Sequence, residues 1–357
     1  MKKIILPLFA SLFFFACSSD EPHMDGGSEK KGLVFEITAK NQLVTTKAVG
    51  DPIYSQDDAQ KITRVSIHAF KSDGTDYLYV KSYNVTDWLE GSTFKRYEVP
   101  VNDMLPEGDY QFLAIGRNAT DLYEIPIMDA TTKIGDVLAS INTSGDEYEV
   151  FAGTAEALIE SQGIRVSLTM TRKVAGVLGY FKNAPQLLND KTVRFLRLTA
   201  TAGNKAVFLA SGVGTSVTGA YDIIDIDLDE QTVENEIYTG NDLTAVGVVK
   251  LPNSQLGGGF MIPVDGISLT LGLYDDAGLS IKTWTVTNAD GETIFDILPN
   301  HFYSLGMKYK PDTTTGVDPD DLDDDDDAID LLQDQTITIT LDPAWNTIHP
   351  LTLGNDL

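Results

Sequence analysis

The chain is 357 residues long, carries a formal net charge of −27, and is 42% hydrophobic and 22% charged. That length holds two ordinary domains with real cores, and the composition is that of a globular chain rather than a disordered one. The excess acid excludes a nucleic-acid surface, which needs clustered Lys and Arg, and simple adhesion to anionic headgroups; it favours a soluble, self-repelling exterior.

The first residues read as a targeting segment. Lys2 and Lys3 precede an apolar stretch from Ile4 to Phe15, and Ala16 is a small residue ahead of Cys17. A basic start, a short apolar core and a small residue at the cut describe a secretory signal over residues 1–16. The stretch is too short to span a bilayer, which takes about 20 residues. A cysteine at the cleavage point resembles the lipobox of bacterial lipoproteins, with Phe14 and Phe15 departing from its usual residues. The resemblance makes Cys17 the lipid-bearing first residue. Residues 17–32 are polar and Gly-rich, a tether, and Ser18, Ser19, Asp20 and Glu21 resemble the acidic export tag of Bacteroidetes surface lipoproteins. Cys17 is the one cysteine, so disulfides play no part in the fold.

From Gly32 onward the pattern is strands and turns. Leu33–Lys40 is a first strand, followed by Val44–Gly50 and a break at Asp51-Pro52. Val65, Ile67 and Ala69 alternate with Arg64, Ser66 and His68, the period of a strand with one buried face. Asp73-Gly74 turns into a strand through Tyr77, Tyr79 and Lys81. Leu105–Asp109 is a turn feeding Tyr110, Phe112 and Ala114, and Val166, Leu168 and Met170 alternate with Ser167, Thr169 and Thr171. Val193–Ala200 is a strand, 211–219 a loop. Ile267, Leu269, Leu271 and Leu273 form a strand that Asp275–Gly278 turns into Leu279–Val286. Asp290-Gly291 is another turn, and Tyr303–Tyr309 a further strand. At the end Thr336, Thr338 and Thr340 alternate with Ile337, Ile339 and Leu341. Turn signals every few residues without βα alternation predict an all-β chain of two tandem β-sandwich domains, 33–172 and 173–357. The second includes an acidic linker at 312–334 and a terminal strand at 335–353, which either completes its own domain or is lent to a neighbour.

Chemistry is thinly represented. His23, His68, His301 and His349 are far apart with no paired metal spacing, and neither a G-x-S-x-G elbow nor a catalytic cysteine is present. No cofactor, metal site or enzyme activity is expected. His68 lies on the polar face of its strand, a solvated position. Gly257-Gly258-Gly259 lacks the Lys-Ser/Thr of a phosphate loop and reads as a bend or bulge. Eight of the ten residues Asp318–Asp327 are Asp; without the sharp Gly turn of a calcium loop the run reads as a self-repelling linker, with weak calcium binding as the alternative. Trp88, Trp284 and Trp345 are either core residues or a platform on which sugars stack.

Several motifs together resemble the fimbrillins, the two-domain subunits of Bacteroidetes type V pili. They are the signal through Cys17, Thr45-Thr46-Lys47-Ala48, the strand with Phe70 and Asp73-Gly74, and the turn Leu105-Pro106-Glu107-Gly108-Asp109-Tyr110. They continue with Thr171-Arg172-Lys173-Val174-Ala175, Pro299–Gly306, and the closing Ile-Thr-Ile-Thr with Pro343 and Trp345. The resemblance implies a transthyretin-like, Greek-key sandwich in each domain and a cell-surface fimbria supporting adhesion. It also implies other fimbrial subunits as partners and attachment to outer-membrane lipid through Cys17. In such proteins a protease removes the first strand, and the C-terminal strand of the next subunit fills the opened groove. Carried onto this chain, the cut falls between Lys47 and Ala48 and removes Leu33–Gln42. The donor is Thr336–Leu353, with Thr336, Ile337, Thr338, Ile339, Thr340, Leu341 and Trp345 as its pairing residues and the Asp tract as its arm.

Lys47 stands where the family usually has Arg, and an arginine-specific pocket reads the guanidinium fork that Lys lacks. A cut there gives a stalk or tip subunit; retention of the first strand and lipid gives an anchor. The competing reading is a glycan-binding surface lipoprotein of a polysaccharide-uptake system, using exposed aromatics such as Trp88 or Trp284.

Overall fold

Period-two patterning builds nearly the whole of the computed structural model, which describes residues 32–39, 52–53, 61–89, 91–145, 147–160, 163–242, 250–309 and 327–342. Its regular structure is β-strand apart from two single-turn 3-10 helices at Val101–Asp103 and Ile134–Asp136. Strands of three residues or more are numbered here in chain order.

The first half contributes β1 (Leu33–Ala39), β2 (Arg64–Ser72), β3 (Tyr77–Val85), β4 (Phe94–Glu98), β5 (Gly108–Arg117), β6 (Leu138–Ser140), β7 (Val150–Ile159) and β8 (Ile164–Arg172). Seven of these form a sheet in the order β3-β2-β5-β7-β8-β1-β4. β7 meets β8 through two pairs only, Phe151 with Arg172 and Ala152 with Thr171. The sheet turns a corner there, and its two limbs face each other as a sandwich. A Cβ on Gly153 would lie 1.9 Å from the Thr169 carbonyl oxygen, so the corner admits glycine alone. Phe35, Ile37, Ile67, Phe112 and Leu168 fill the space between the limbs, and the rings of Phe35 and Phe112 meet edge to face at 4.9 Å.

The second half contributes β9 (Ala175–Lys182), β10 (Phe195–Ala200), β11 (Gly203–Phe208), β12 (Gly214–Thr218), β13 (Tyr221–Asp227) and β14 (Ser254–Met261). It continues with β15 (Val264–Ile267), β16 (Leu269–Tyr274), β17 (Ser280–Thr287), β18 (Phe295–Ile297), β19 (Phe302–Leu305) and β20 (Ile337–Asp342). The main sheet runs β13-β10-β16-β17-β20-β19-β9-β14. It too folds over on itself around one core that includes Val177, Leu196, Leu271, Trp284, Tyr303 and Ile339.

The halves are joined by more than chain. β6 of the first pairs with β11 of the second, Val207 opposite Ala139. A third apolar cluster, with Phe70, Leu113, Ile115, Ala139, Val174, Val207 and Ile262, lies where they meet.

Several expectations change. β5, of which the sequence pattern picks out Tyr110, Phe112 and Ala114, is buried on both faces, because that third cluster covers Leu113 and Ile115 as well. Part of the expected loop 211–219 is strand β12, paired with β11. The run from Ile267 to Leu273 breaks at Ser268 and serves two sheets, Ile267 pairing with Phe295 of β18 and Leu269 with Ala200 of β10. The Tyr303–Tyr309 run is interrupted at Gly306, whose φ of 74° takes it out of β geometry. The three glycines at 257–259 are neither bend nor bulge but an unbroken stretch of β14, in register with Gly179, Leu178 and Val177 of β9. They are small because β13 lies against them; a Cβ on Gly257 would sit 2.8 Å from Ile224 Cγ2, and one on Gly259 would sit 3.0 Å from the Ile223 carbonyl oxygen.

Candidate functional site

Two strand positions hold the segments read from sequence as the removed strand and the donor strand. β1 is the middle strand of the limb β8-β1-β4. It runs parallel to β8, from Leu33 opposite Ile164 to Ala39 opposite Met170, and antiparallel to β4, from Val34 opposite Glu98 to Thr38 opposite Phe94. Leu33, Phe35, Ile37 and Ala39 all point into the core and are fully buried. Without β1, both neighbours would expose a row of backbone donors and acceptors above an apolar floor.

β20 is the counterpart in the second half. It runs antiparallel to β19, from Phe302 opposite Asp342 to Leu305 opposite Ile339, and parallel to β17 through Val286 with Ile337 and Thr287 with Thr338. Those two parallel pairs are the seam that joins the limbs of the second sandwich. Each slot therefore has one parallel and one antiparallel neighbour. Ile337 and Ile339 are buried, whereas Leu341 is 45% exposed, beyond the cover of the facing limb. Thr338 and Thr340 lie on the opposite face, exposed.

Of the residues read from sequence as functional, Thr336, Ile337, Thr338, Ile339, Thr340 and Leu341 fall in this region. Cys17, Lys47, Ala48 and Trp345 lie outside the described residues. The segment read as an acidic linker is described from Asp327 on, and there it is held. Met307 and Asp327 exchange both backbone hydrogen bonds, at 2.8 and 2.9 Å, which ties Asp327 to the end of the run that began at Tyr303. Ile329 then pairs with Phe181, the Leu331 N–H donates to the Lys182 carbonyl, and the Leu331 side chain is buried. The Asn183 amide donates to Asp330 Oδ2 at 3.1 Å.

A buried polar cluster lies beside that junction, and no motif in the sequence marks it. Lys308 Nζ donates to Asp242 Oδ2 at 2.9 Å and to the Tyr180 hydroxyl at 3.0 Å, and sits 4.7 Å from the centre of the Tyr180 ring. Asp242 Oδ2 also accepts from Ser254 Oγ at 2.8 Å and from the Leu251 N–H at 3.0 Å. This is a fully desolvated ion pair with its carboxylate held by several donors.

His68 is not solvated as its strand position predicts. It is half-buried, with Nε2 2.8 Å from Ser66 Oγ and Nδ1 2.7 Å from Ser82 Oγ, and Ser82 in turn meets the Tyr79 hydroxyl at 2.8 Å. Burial pulls its pKa down to about 4. Trp88 and Trp284 are 3% and 7% exposed and belong to the two cores, so neither forms a sugar-stacking platform. Among the described residues no group of three His, Cys, Asp or Glu could hold a metal ion, and no helix is long and apolar enough to cross a membrane.

Residues 36–236 match the sequence profile of the fimbrillin-A associated anchor proteins Mfa1 and Mfa2. No curated protein matches the chain. Solved structures similar to it include the fimbrial anchor protein Mfa2 from Porphyromonas gingivalis, at 13% identity and TM-score 0.44, covering 77% of this chain and 90% of that one. Another is a protein from Bacteroides thetaiotaomicron VPI-5482 proposed to bind polysaccharide, at 14% identity and TM-score 0.45 over the same shares, 77% and 90%. A third is a proposed adhesin from Bacteroides ovatus, at 13% identity and TM-score 0.45, covering 78% and 92%.

Proposed function

This chain belongs to the family of fimbrillin-A associated anchor proteins, and on that premise we propose that it is a lipid-attached component of a cell-surface fimbria that joins other subunits by exchanging β-strands. The family supports a fimbria-associated structural and adhesive role. The finer reading is exported lipoprotein, Cys17 as the lipid-bearing residue in the outer membrane, and the segment from Thr336 as the strand donated to a neighbour. It divides the chain at the junction of β8 and β9 and makes 33–172 the accepting domain.

The observation that carries the reading is the setting of β1. An interior strand flanked by one parallel and one antiparallel neighbour, with every inward residue buried, is what another strand can replace with full ladder and core complementarity. β20 lies between neighbours of the same two polarities, and its Ile337 and Ile339 alternate at the same period. The donor reading also requires β20 to leave its place between β17 and β19, and with it the buried Ile337 and Ile339.

The family description favours a second version in which Lys47 is left uncut, β1 stays, and the protein remains at the base as an anchor. N-terminal sequencing of the surface-exposed mature protein separates the two: a start at Ala48 gives a polymerising subunit, a blocked Cys17 gives the anchor. A free N-terminus between residues 17 and 47 would rule out both.

A further inference from the structure

Where the two halves meet there is a small cavity that strand exchange does not use. Its walls are Glu147 and Tyr148 from the loop ahead of β7, Tyr221 and Ile223 of β13, and Gly258 and Phe260 of β14. Its volume is about 30 Å³, room for one or two groups the size of water and too little for a sugar ring.

The chemistry of the walls is specific. Glu147 is 6% exposed, and its Oε2 accepts the Gly145 N–H at 2.7 Å. The Tyr221 hydroxyl is buried and has no hydrogen-bond partner among the described residues. Burial, and after it the negative charge of Glu147, pushes the ionisation of Tyr221 up; the same two causes act in the same order on Tyr123. The Tyr221 hydroxyl therefore stays a neutral dipole with lone pairs open to a donor, beside a carboxylate and between aromatic side chains.

We propose that this cavity is a subsite for a primary ammonium group, the terminus of a lysine side chain or of a free amine. An –NH3+ group donates to the Tyr221 oxygen and lies in the field of the Glu147 carboxylate. Water can satisfy the hydroxyl but gains little from the charge of Glu147, whereas a cation gains from both. A chain of net charge −27 also raises the local concentration of cations.

Saturation-transfer NMR on the full chain tests this with three probes: Nα-acetyl-lysine amide, its neutral Nα,Nε-diacetyl counterpart, and cadaverine. The expected result is saturable millimolar binding of the charged lysine derivative and none of the neutral one. Tyr221→Phe and Glu147→Gln should each weaken it on the order of tenfold. A lysine derivative that outcompetes cadaverine assigns the subsite to protein lysines; the reverse assigns it to free polyamines. Equal signals from charged and neutral lysine derivatives would overturn the assignment, as would no saturable binding of either amine. Binding unchanged in Tyr221→Phe would do the same, and that variant suffices alone if Glu147→Gln loses its near-ultraviolet circular dichroism.

Discussion

Lys308 shows how much of this fold hangs on single polar contacts. With the ammonium removed, Asp242 keeps its charge in a place that water does not reach. Lys308→Met should cost about 3–5 kcal/mol in urea unfolding, most of it recovered when Asp242 is also made apolar. His68 makes the opposite demand, for neutrality. Its folded pKa of about 4 lies below the ordinary 6.5, so the unfolded chain binds the proton more readily. The contribution is fully present above pH 6.5 and is lost as pH falls through the window from 6.5 to 4, up to about 3 kcal/mol in all. Unfolding free energies measured across that window should show the slope, and His68→Gln should flatten it. Glycine supplies a third case. Gly153→Ala drives a methyl group into the Thr169 carbonyl, whereas a Cβ on Gly135 meets nothing within 4 Å. The first should lower stability by more than about 3 kcal/mol and the second by less than about 1, read from denaturant midpoints.

Among the strands, those with one buried and one open face were legible in the sequence. Val65, Ile67 and Ala69 of β2 and Val166, Leu168 and Met170 of β8 alternate as written and point inward, because burial on a single face leaves the period-two record intact. The record fails where a strand is covered on both sides or shared between sheets. β9 is apolar almost throughout because both faces are packed, so it carries no alternation to mark it. β12 is short, polar and at the margin of a small sheet, so its Gly-Ser-Thr composition matched a loop. The site was partly legible. Ile337 and Ile339 were readable as an inward face, but the pairing of β20 with both β17 and β19 is a long-range contact that no local pattern encodes. The cluster of Lys308, Asp242 and Tyr180 brings together residues far apart in the chain, and the Glu147 cavity does likewise. β1 should be the costlier strand to injure. Phe35→Ala removes a ring that meets both Phe112 and Tyr83 and should cost about 3–5 kcal/mol.

At the scale of the whole molecule, two slots of matching polarity sit in a strongly acidic body, and the two facts act against each other. In the proposed exchange the strand ladder would give a neighbour's segment affinity and register, while a net charge of −27 on each copy resists the approach. Eight of the 53 acidic residues lie in the run Asp318–Asp327, close in sequence to the segment that would be donated. Screening should therefore speed association: raising ionic strength from about 0.02 to about 0.3 M shortens the Debye length several-fold and removes most of the repulsion between exposed charges. The ladder and the buried isoleucines, neutral and desolvated, should keep their strength over that range. The expected outcome is a rate of multimer formation that climbs with salt and a dissociation rate that stays level, followed by light scattering and by resistance to SDS. Deleting Gln335–Leu357 should abolish multimers at every salt concentration while leaving secretion intact. Multimers that persist without that segment would show that the subunits are joined elsewhere on the surface.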